Sequence, residues 1–456
     1  MKLRSLILIA VDCLLIFCAV FALTLLRFRF DMQLFVSYDP YLLKTTWVTG
    51  AHIFSMAYFE LYTPSSYRLD LQIFKKIVQS IFLASGILFV CYYFYPPLKI
   101  GTAVWLGIFI VFPFVLMLWR WFYCRYLSNE FSRERILIMG SGALATKVAR
   151  GILDYKDLGM DVVGFLDKDD SRLGYSLVNP RIIGTYDGLA EIVAQQKVDT
   201  IIIALPDRRG RFSMDTVLDC KLKGVHIEDG ESTFERIMGR IPVGQLKPSW
   251  MVFGEGFYLL KVERILKRFF DVVVAVFGLV VWSPIILLVA LLIPLDSKGP
   301  AFFTQTRIGE NGKLFTLVKF RTMRLLDPTK EAEEWAQDDD ARITRIGKIL
   351  RKTRIDEIPQ LLNVLKGDMS IVGPRPDMLF LRDQMQDEVP YYSLRYSVKP
   401  GVTGWAQIKY RYVASIEEGT ERHEYDLYYI KNFSILFDAW IMLKTIQVMV
   451  AKVGAR

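Results

Sequence analysis

The run Arg351–Pro376, RKTRIDEIPQLLNVLKGDMSIVGPRP, decides how the rest of the chain is read. It sets two adjacent carboxylates, Asp356 and Glu357, just after three cations, Arg351, Lys352 and Arg354. Pro359 follows, and proline is tolerated only in the first turn of a helix. That places a helix start near Asp356, a buried stripe on Leu361, Leu362 and Leu365, and a stop at Gly367. The pair then sits at the positive end of a helix, where phosphate also settles. An isolated Asp-Glu pair is most often two ordinary acids of a first turn, with Asp356 as the N-cap. Among these cations it suits an anionic substrate bridged by a metal. One carboxylate can attack phosphorus while the other holds Mg2+.

Upstream of this run, AFFTQTRIGENGKLFTLVKFRTM reads as a β-hairpin turning at Glu310-Asn311-Gly312 and delivering Lys319 and Arg321. Glu331–Asp340 is an acidic connecting segment. Before the hairpin lies a long apolar stretch, Phe269–Leu295. Both its flanks are basic, with Lys267 and Arg268 before it and Lys298, Arg307 and Lys313 after it, and Ser283-Pro284 stands in its middle. Proline removes a helix hydrogen bond, and serine can satisfy the freed carbonyl. The stretch therefore reads as a re-entrant helix–break–helix, spanning about 264–296, that enters and leaves one membrane face. Near the C-terminus Phe433–Val450 is an apolar helix interrupted by Lys444, read as interfacial or packed.

Further upstream the character changes twice. Residues 131–260 alternate strands with helices: RILIMGSGALATKVARGI, DVVGFLDKDD, a helix at Leu189–Gln196, VDTIIIALP and GVHIEDG. That is a parallel, doubly wound sheet of four strands. Gly140 and Gly142 form a glycine turn between a strand and a helix, and Asp167 ends the next strand. This is the context of a nucleotide-binding turn, or of a bare structural one. Residues 1–130 hold four apolar segments, Leu6–Phe28, Leu43–Tyr62, Phe74–Tyr95 and Ala103–Tyr126, each near the ~20 residues that cross a bilayer. Lys2 and Arg4, then Arg68, Lys75 and Lys76, then Arg120, Arg125, Arg133 and Arg135 place both ends of this bundle in the cytoplasm. The first segment reads as a retained helix, not a signal peptide.

Composition agrees. Apolar residues make up 52% of the 456, and the net charge of +9 fits an anionic membrane face and phosphorylated substrates. A nucleic-acid partner is not expected, since no zinc-ligand spacing, basic zipper or RNA-binding aromatic signature occurs. The five cysteines suggest no disulfide framework, and three histidines do not make a histidine-rich metal site.

Four pieces in order, KFRTM (Lys319–Met323), Arg351–Pro376, KPGVTGWAQI (Lys399–Ile408) and YDLYYIKN (Tyr425–Asn432), resemble the bacterial polyprenyl-phosphate hexose-1-phosphate transferases, monotopic-type phosphoglycosyl transferases in their large form. The resemblance covers about Arg264 to the end and implies an α+β catalytic domain over 261–456, joined to a four-helix transmembrane region and a Rossmann-like α/β domain. It implies transfer of a sugar-1-phosphate from UDP-glucose or UDP-galactose to undecaprenyl phosphate, with release of UMP, initiating exopolysaccharide or another surface glycan. Asp356 would be the nucleophile, forming an aspartyl-phosphosugar, and Glu357 would hold Mg2+ with it. Lys319, Arg321, Arg351, Arg375 and Asp426 would contact substrate. Ser283 and Pro284 match the break of the family's re-entrant helix, and both soluble domains would face the cytoplasm of the inner membrane. A homodimer is allowed. Two other classes compete. A membrane-tethered nucleotide-sugar dehydratase needs a Tyr-x-x-x-Lys pair in its nucleotide fold, and the only such spacing, Tyr95–Lys99, lies in a membrane loop. A non-enzymatic membrane sensor leaves the ordered motifs after Lys319 without a role.

Overall fold

The computed structural model describes residues 2–31, 33, 41–62, 71–127, 134–155, 159–205, 212–245, 256–257, 260–324, 342–410 and 415–450. The acidic run Glu331–Asp340 lies outside them. The chain divides into two compact units, Met1–Thr233 and Phe234–Arg456.

The first unit opens with α1 (Lys2–Arg27), α2 (Tyr41–Tyr58), α3 (Leu71–Phe94) and α4 (Thr102–Phe122), one for each apolar segment. Leu8, Ile16, Val48, Ile77, Ile108 and Phe112 share their core, while Leu14, Phe82, Phe89, Ile110 and Phe114 point outward. Helices apolar on all sides belong in lipid, where every polar group must find a partner within the protein. Thr45 Oγ1 donates to Tyr41 O at 3.0 Å, Ser55 Oγ to Ala51 O at 2.8 Å, and Arg120 pairs with Asp12 at 2.6 Å. Leu6–Arg27, Ile73–Phe94 and Thr102–Arg125 are long and apolar enough to cross a membrane, as is one helix of the second unit.

The sheet that follows is wholly parallel, in the order β3-β2-β1-β4-β5. Its elements are β1 (Glu134–Met139), α5 (Ala143–Asp154), β2 (Met160–Asp167), β3 (Ile182–Thr185), α6 (Leu189–Gln196), β4 (Thr200–Ile203), α7 (Met214–Leu222) and β5 (His226–Asp229). Four strands are expected from the sequence and five are present. The extra one, β3, is the four-residue edge strand IIGT, too short to show alternation. After β5 comes α8 (Gly230–Met238).

In the second unit α9 (Lys261–Asp296) runs as one 36-residue helix through Ser283-Pro284, where an interruption is expected. The helix survives because Ser283 Oγ donates to Val280 O at 2.8 Å, the carbonyl that Pro284 leaves without its N–H partner. Its first part docks through polar groups. Lys267 Nζ reaches Asp438 Oδ2 at 2.6 Å, Arg268 donates to Val364 O and Leu365 O, and Asp271 accepts from Ser370 Oγ and Ile371 N. Its last part docks through Val289 and Ile293, packed with Phe320 and Leu350. Between these, residues 280–284 are exposed on every side.

β6 (Phe302–Ile308) and β7 (Leu314–Phe320) form the expected hairpin, with Asn311 and Gly312 at φ 56° and 74° in its turn. Then come α10 (Arg345–Thr353), α11 (Gln360–Lys366), β8 (Ser370–Val372), α12 (Leu379–Glu388), β9 (Gly401–Thr403), α13 (Trp405–Lys409), α14 (Ile416–Lys431) and α15 (Ile435–Val450). β8 and β9 pair in parallel. Gly401 and Gly404 let them close: a Cβ on Gly401 would stand 2.0 Å from Gly373 N, and one on Gly404 2.2 Å from Gly373 O. In α15 Ile441 is fully buried and Lys444 nearly so, so that helix is packed.

Candidate active site

The helix expected to start at Asp356 starts later. α10 ends at Arg354, which takes the left-handed conformation at φ 59° and turns the chain sharply. Ile355–Glu357 then make one 3-10 turn, and α11 begins at Gln360 behind Pro359. Asp356 is therefore not an N-cap; it is folded inward and buried. α11 does stop at Gly367, φ 99°. Its buried face is Gln360, Asn363 and Val364, while Leu362 stands exposed. Asn363 is buried because it acts as a false strand partner for β7, donating to Thr316 O at 2.7 Å and accepting from Val318 N at 3.0 Å. That clamp fixes β7, and with it Lys319, against the turn that carries the carboxylates.

Lys319, Arg354 and Arg375 are the cations that act on Asp356. Glu357 Oε1 accepts from both Nη1 and Nη2 of Arg375 at 3.2 Å, and Arg354 lies 3.5 Å away. The two carboxylates thus differ in state. Burial and the neighbouring Glu357 charge push Asp356 up to about 6. Burial also disfavours the Glu357 charge, but Arg375 and Arg354 outweigh it and hold that group below its usual range. Burial, with Arg375 close by, brings Lys319 down to about 8. Asp356 Oδ1 is buried and accepts no hydrogen bond. Two like charges side by side, one neutralised by arginine and one not, form an arrangement that can divide the labour of a nucleophile and a stabiliser.

The pair also fits a hard cation. No group of three His, Cys, Asp or Glu side chains that could hold a metal occurs among the described residues. Mg2+ needs only one or two carboxylates when substrate phosphates and water complete its shell, and the unpartnered Asp356 Oδ1 is such an oxygen.

The remaining expected residues are placed as follows. Arg375 is in the site, held on Gln407 Oε1 at 3.4 Å as well as on Glu357. Arg321 is directed elsewhere: it is buried, with its guanidinium on Ser297 O at 2.6 Å and Lys298 O at 2.7 Å, fixing the chain after α9. Arg351, in the last turn of α10, makes no side-chain contact with the carboxylates among the described residues; Arg354 takes that place. Asp426 is buried and paired with Arg395 Nη2 at 2.9 Å. Gly140, Gly142 and Asp167 lie in the other unit. Gly140, at φ 118°, passes so close to Ala204 O that a Cβ would stand 2.7 Å from it. Gly142 precedes α5 with nothing near a Cβ. Asp167 accepts from Ser141, from Asp169 N at 3.2 Å and from Arg172 at 3.3 Å, so it braces the glycine turn itself. Sequence reading missed Asn363, Arg395 and Asp377, most of whose partners are distant in the chain.

Comparison with known proteins agrees with this division. The pattern of the bacterial sugar transferase family matches residues 262–452, and that of a CoA-binding domain matches 57–227. The chain is 39% identical over 238 residues (52% of this chain, 55% of the relative) to the UDP-N-acetylgalactosamine-undecaprenyl-phosphate N-acetylgalactosaminephosphotransferase of Aeromonas hydrophila. It is 43% identical over 187 residues (41% and 40%) to the UDP-glucose:undecaprenyl-phosphate glucose-1-phosphate transferase of Escherichia coli. An uncharacterized sugar transferase of Haemophilus influenzae is 32% identical over 388 residues, 79% of either chain. The match thus spans about half the length of the first two relatives and most of the third.

Proposed function

We propose that this chain, which belongs to the bacterial sugar transferase family, moves a hexose-1-phosphate from a UDP-sugar to undecaprenyl phosphate and so starts a surface glycan. The observation that carries the reading is the buried Asp356 carboxylate, with one oxygen unpartnered, facing Lys319 and Arg375. Asp356 attacks the sugar-proximal phosphorus of the donor. A phosphorus–oxygen bond forms, the bond to the bridging oxygen breaks, and UMP leaves with that oxygen. An oxygen of undecaprenyl phosphate then attacks the same phosphorus and releases the Asp356 carboxylate. Lys319 and Arg375 meet the charge on the phosphate oxygens, as fixed donors do in phosphoryl transfer. Asp356 and Glu357 are the residues that would hold Mg2+, which when bound neutralises the pyrophosphate. The relatives are named for UDP-glucose and for UDP-N-acetylgalactosamine, so the donor is proposed as a UDP-hexose, glucose and galactose included.

The test is UMP release by the purified chain with Mg2+ and a panel of UDP-sugars. One sugar should give at most one UMP per protein without undecaprenyl phosphate and continuous turnover with it. Sustained release without the lipid, or none with any sugar, overturns the reading.

The lipid acceptor reaches the site from the membrane, and α9 supplies the contact. The helix between its docked positions Asp271 and Asp296, each accepting from the same domain, is about 37 Å long at 1.5 Å per residue. A helix crossing the ~30 Å hydrocarbon core would drag that docked domain surface through lipid. A helix entering and leaving one face does not. Residues 280–284 would be its deepest point, and both soluble domains would lie on the cytoplasmic side. A cysteine introduced beside Lys313 should resist a membrane-impermeant thiol reagent applied to intact cells; ready labelling would mean that α9 spans.

A further inference from the structure

Three consecutive residues beyond β8 are strapped from below by a buried polar cluster that the reaction itself does not use. Arg395 Nη2 donates to Arg375 O at 3.0 Å and to Asp426 Oδ2 at 2.9 Å, while its Nη1 meets Asp377 Oδ2 and Tyr392 OH. Arg307 Nη1 holds the next carbonyl, Pro376 O, at 3.1 Å. Asp377 Oδ2 also accepts from Tyr392 OH at 3.0 Å and Tyr396 OH at 2.9 Å. Arg395, Asp377 and Asp426 are 4%, 2% and 2% exposed, so none of them reaches a bound substrate without breaking these bonds. Burying a guanidinium is costly unless every direction it points in finds an acceptor, and here one fork serves two carboxylates, a hydroxyl and a carbonyl. The carbonyl belongs to Arg375, whose side chain leaves on the other side to grip Glu357.

We propose that Arg395 is a positioning residue that fixes the Pro374-Arg375-Pro376 turn, with Asp426 as its buried counter-charge and not a substrate ligand. The idea rests on the reading of Arg375 as a phosphate-binding cation. Prolines on both sides of Arg375 stiffen the turn but do not orient it. Gly401 N holds Pro374 O at 2.8 Å, and two arginines below hold the next two carbonyls, Arg395 on residue 375 and Arg307 on residue 376, so the guanidinium of Arg375 is aimed before substrate arrives. Lysine cannot replace Arg395, because one ammonium lacks the planar fork that spans Asp377, Asp426 and the carbonyl at once.

The test uses the full-length protein in two arms. The first is hydrogen exchange on Arg395→Lys and Asp426→Asn. Ile308 N, which donates to Asp377 O, and Gly373 N, which donates to Thr403 O, border the turn. Their exchange should quicken by roughly tenfold or more while the amides of α14 hold, because the loss is local. Unchanged exchange at both, or equal quickening throughout the domain, overturns the proposal. The second arm is a double-mutant cycle on kcat and KM for the UDP-sugar. Arg395→Lys should cut kcat by about ten- to a hundredfold in the wild-type background and by much less in Arg375→Ala, since coupled residues are not additive. An equal factor in both backgrounds would mean that Arg395 acts on stability alone. The exchange arm does not depend on the reaction, so an inactive wild type would count against the assigned activity and leave that arm to decide.

Discussion

Asp356→Asn should lower UMP turnover by on the order of 10⁴-fold or more, the usual loss when a nucleophile is removed, and should raise the thermal unfolding midpoint at the same time. The two effects have one cause. The folded chain holds the Asp356 pKa at about 6, against an ordinary 3.8. A group raised in the folded state contributes stability below its unfolded pKa and loses that contribution as pH rises through the folded one. Above about pH 6 the ionised carboxylate therefore costs about 3 kcal/mol in the metal-free protein, at 1.36 kcal/mol per pKa unit. The isosteric carboxamide removes that cost along with the reactive oxygen. Unfolding in EDTA at pH 7.5 and again at pH 5 reads the sign: the variant should gain roughly twice as much at the higher pH as at the lower, because pH 5 still lies above the unfolded pKa. The same pKa places the acid limb of wild-type kcat/KM near pH 6. Near-normal turnover in Asp356→Asn would sink the nucleophile assignment. A variant that is inactive but also less stable at pH 7.5 would mean that Asp356 is held for structure.

The residues that the sequence announces are those whose environment is set by near neighbours. Gly367 ends α11, Asn311-Gly312 turns the hairpin, Leu189–Gln196 is a helix to the residue, and Ser283 covers the carbonyl that Pro284 orphans one turn back. Each follows from two to five residues of local chemistry. Arg354 was not legible, because a left-handed arginine carries no glycine to mark it, and missing it displaced the helix start by four residues from Asp356 to Gln360. Leu362 reads as core and is exposed, because the buried face of α11 turns on Asn363 bonding to β7, a partner about 45 residues away. The chemistry of the Asp-Glu pair was legible from the cations around it, but not which cations. Arg354 in place of Arg351, and Arg321 turned toward Ser297, depend on backbone direction, which residue type does not reveal. Asp426 has the right character for a ligand and the wrong depth, and depth is a property of the whole domain.

A fragment beginning at Gly230 should fold and transfer sugar phosphate, whereas one beginning at Arg264 should fail to unfold cooperatively and show no activity. Every group proposed to act on substrate lies at or after Lys319, which makes the shorter fragment look sufficient. The structure ties twelve earlier residues, 234–245, into the same unit. Ile241 and Val243 are fully buried in one core with Val364, Leu427 and Ile441. Trp405 Nε1 donates to Gly239 O at 2.8 Å and Ile241 N to Glu424 O at 3.1 Å. Glu235 takes Lys431 Nζ at 2.5 Å and Asn432 Nδ2 at 2.9 Å, and Arg240 pairs with Glu421 and Glu424. Losing two buried aliphatic side chains costs about 3–6 kcal/mol. Losing the Arg240–Glu424 ion pair and the bond from the Trp405 indole to Gly239 O adds about 1–3 kcal/mol each. Together these rival the 5–15 kcal/mol that a whole domain has to lose. The damage would also reach the site directly, since Trp405 opens the short helix that carries Gln407 to Arg375. Denaturant unfolding and UMP release, measured on both fragments with Mg2+ and undecaprenyl phosphate, separate the outcomes. A folded, active 264–456 fragment would show that residues 234–245 only decorate the domain. A folded but inactive 230–456 fragment would instead move part of the chemistry into the unit that holds Gly140 and Asp167.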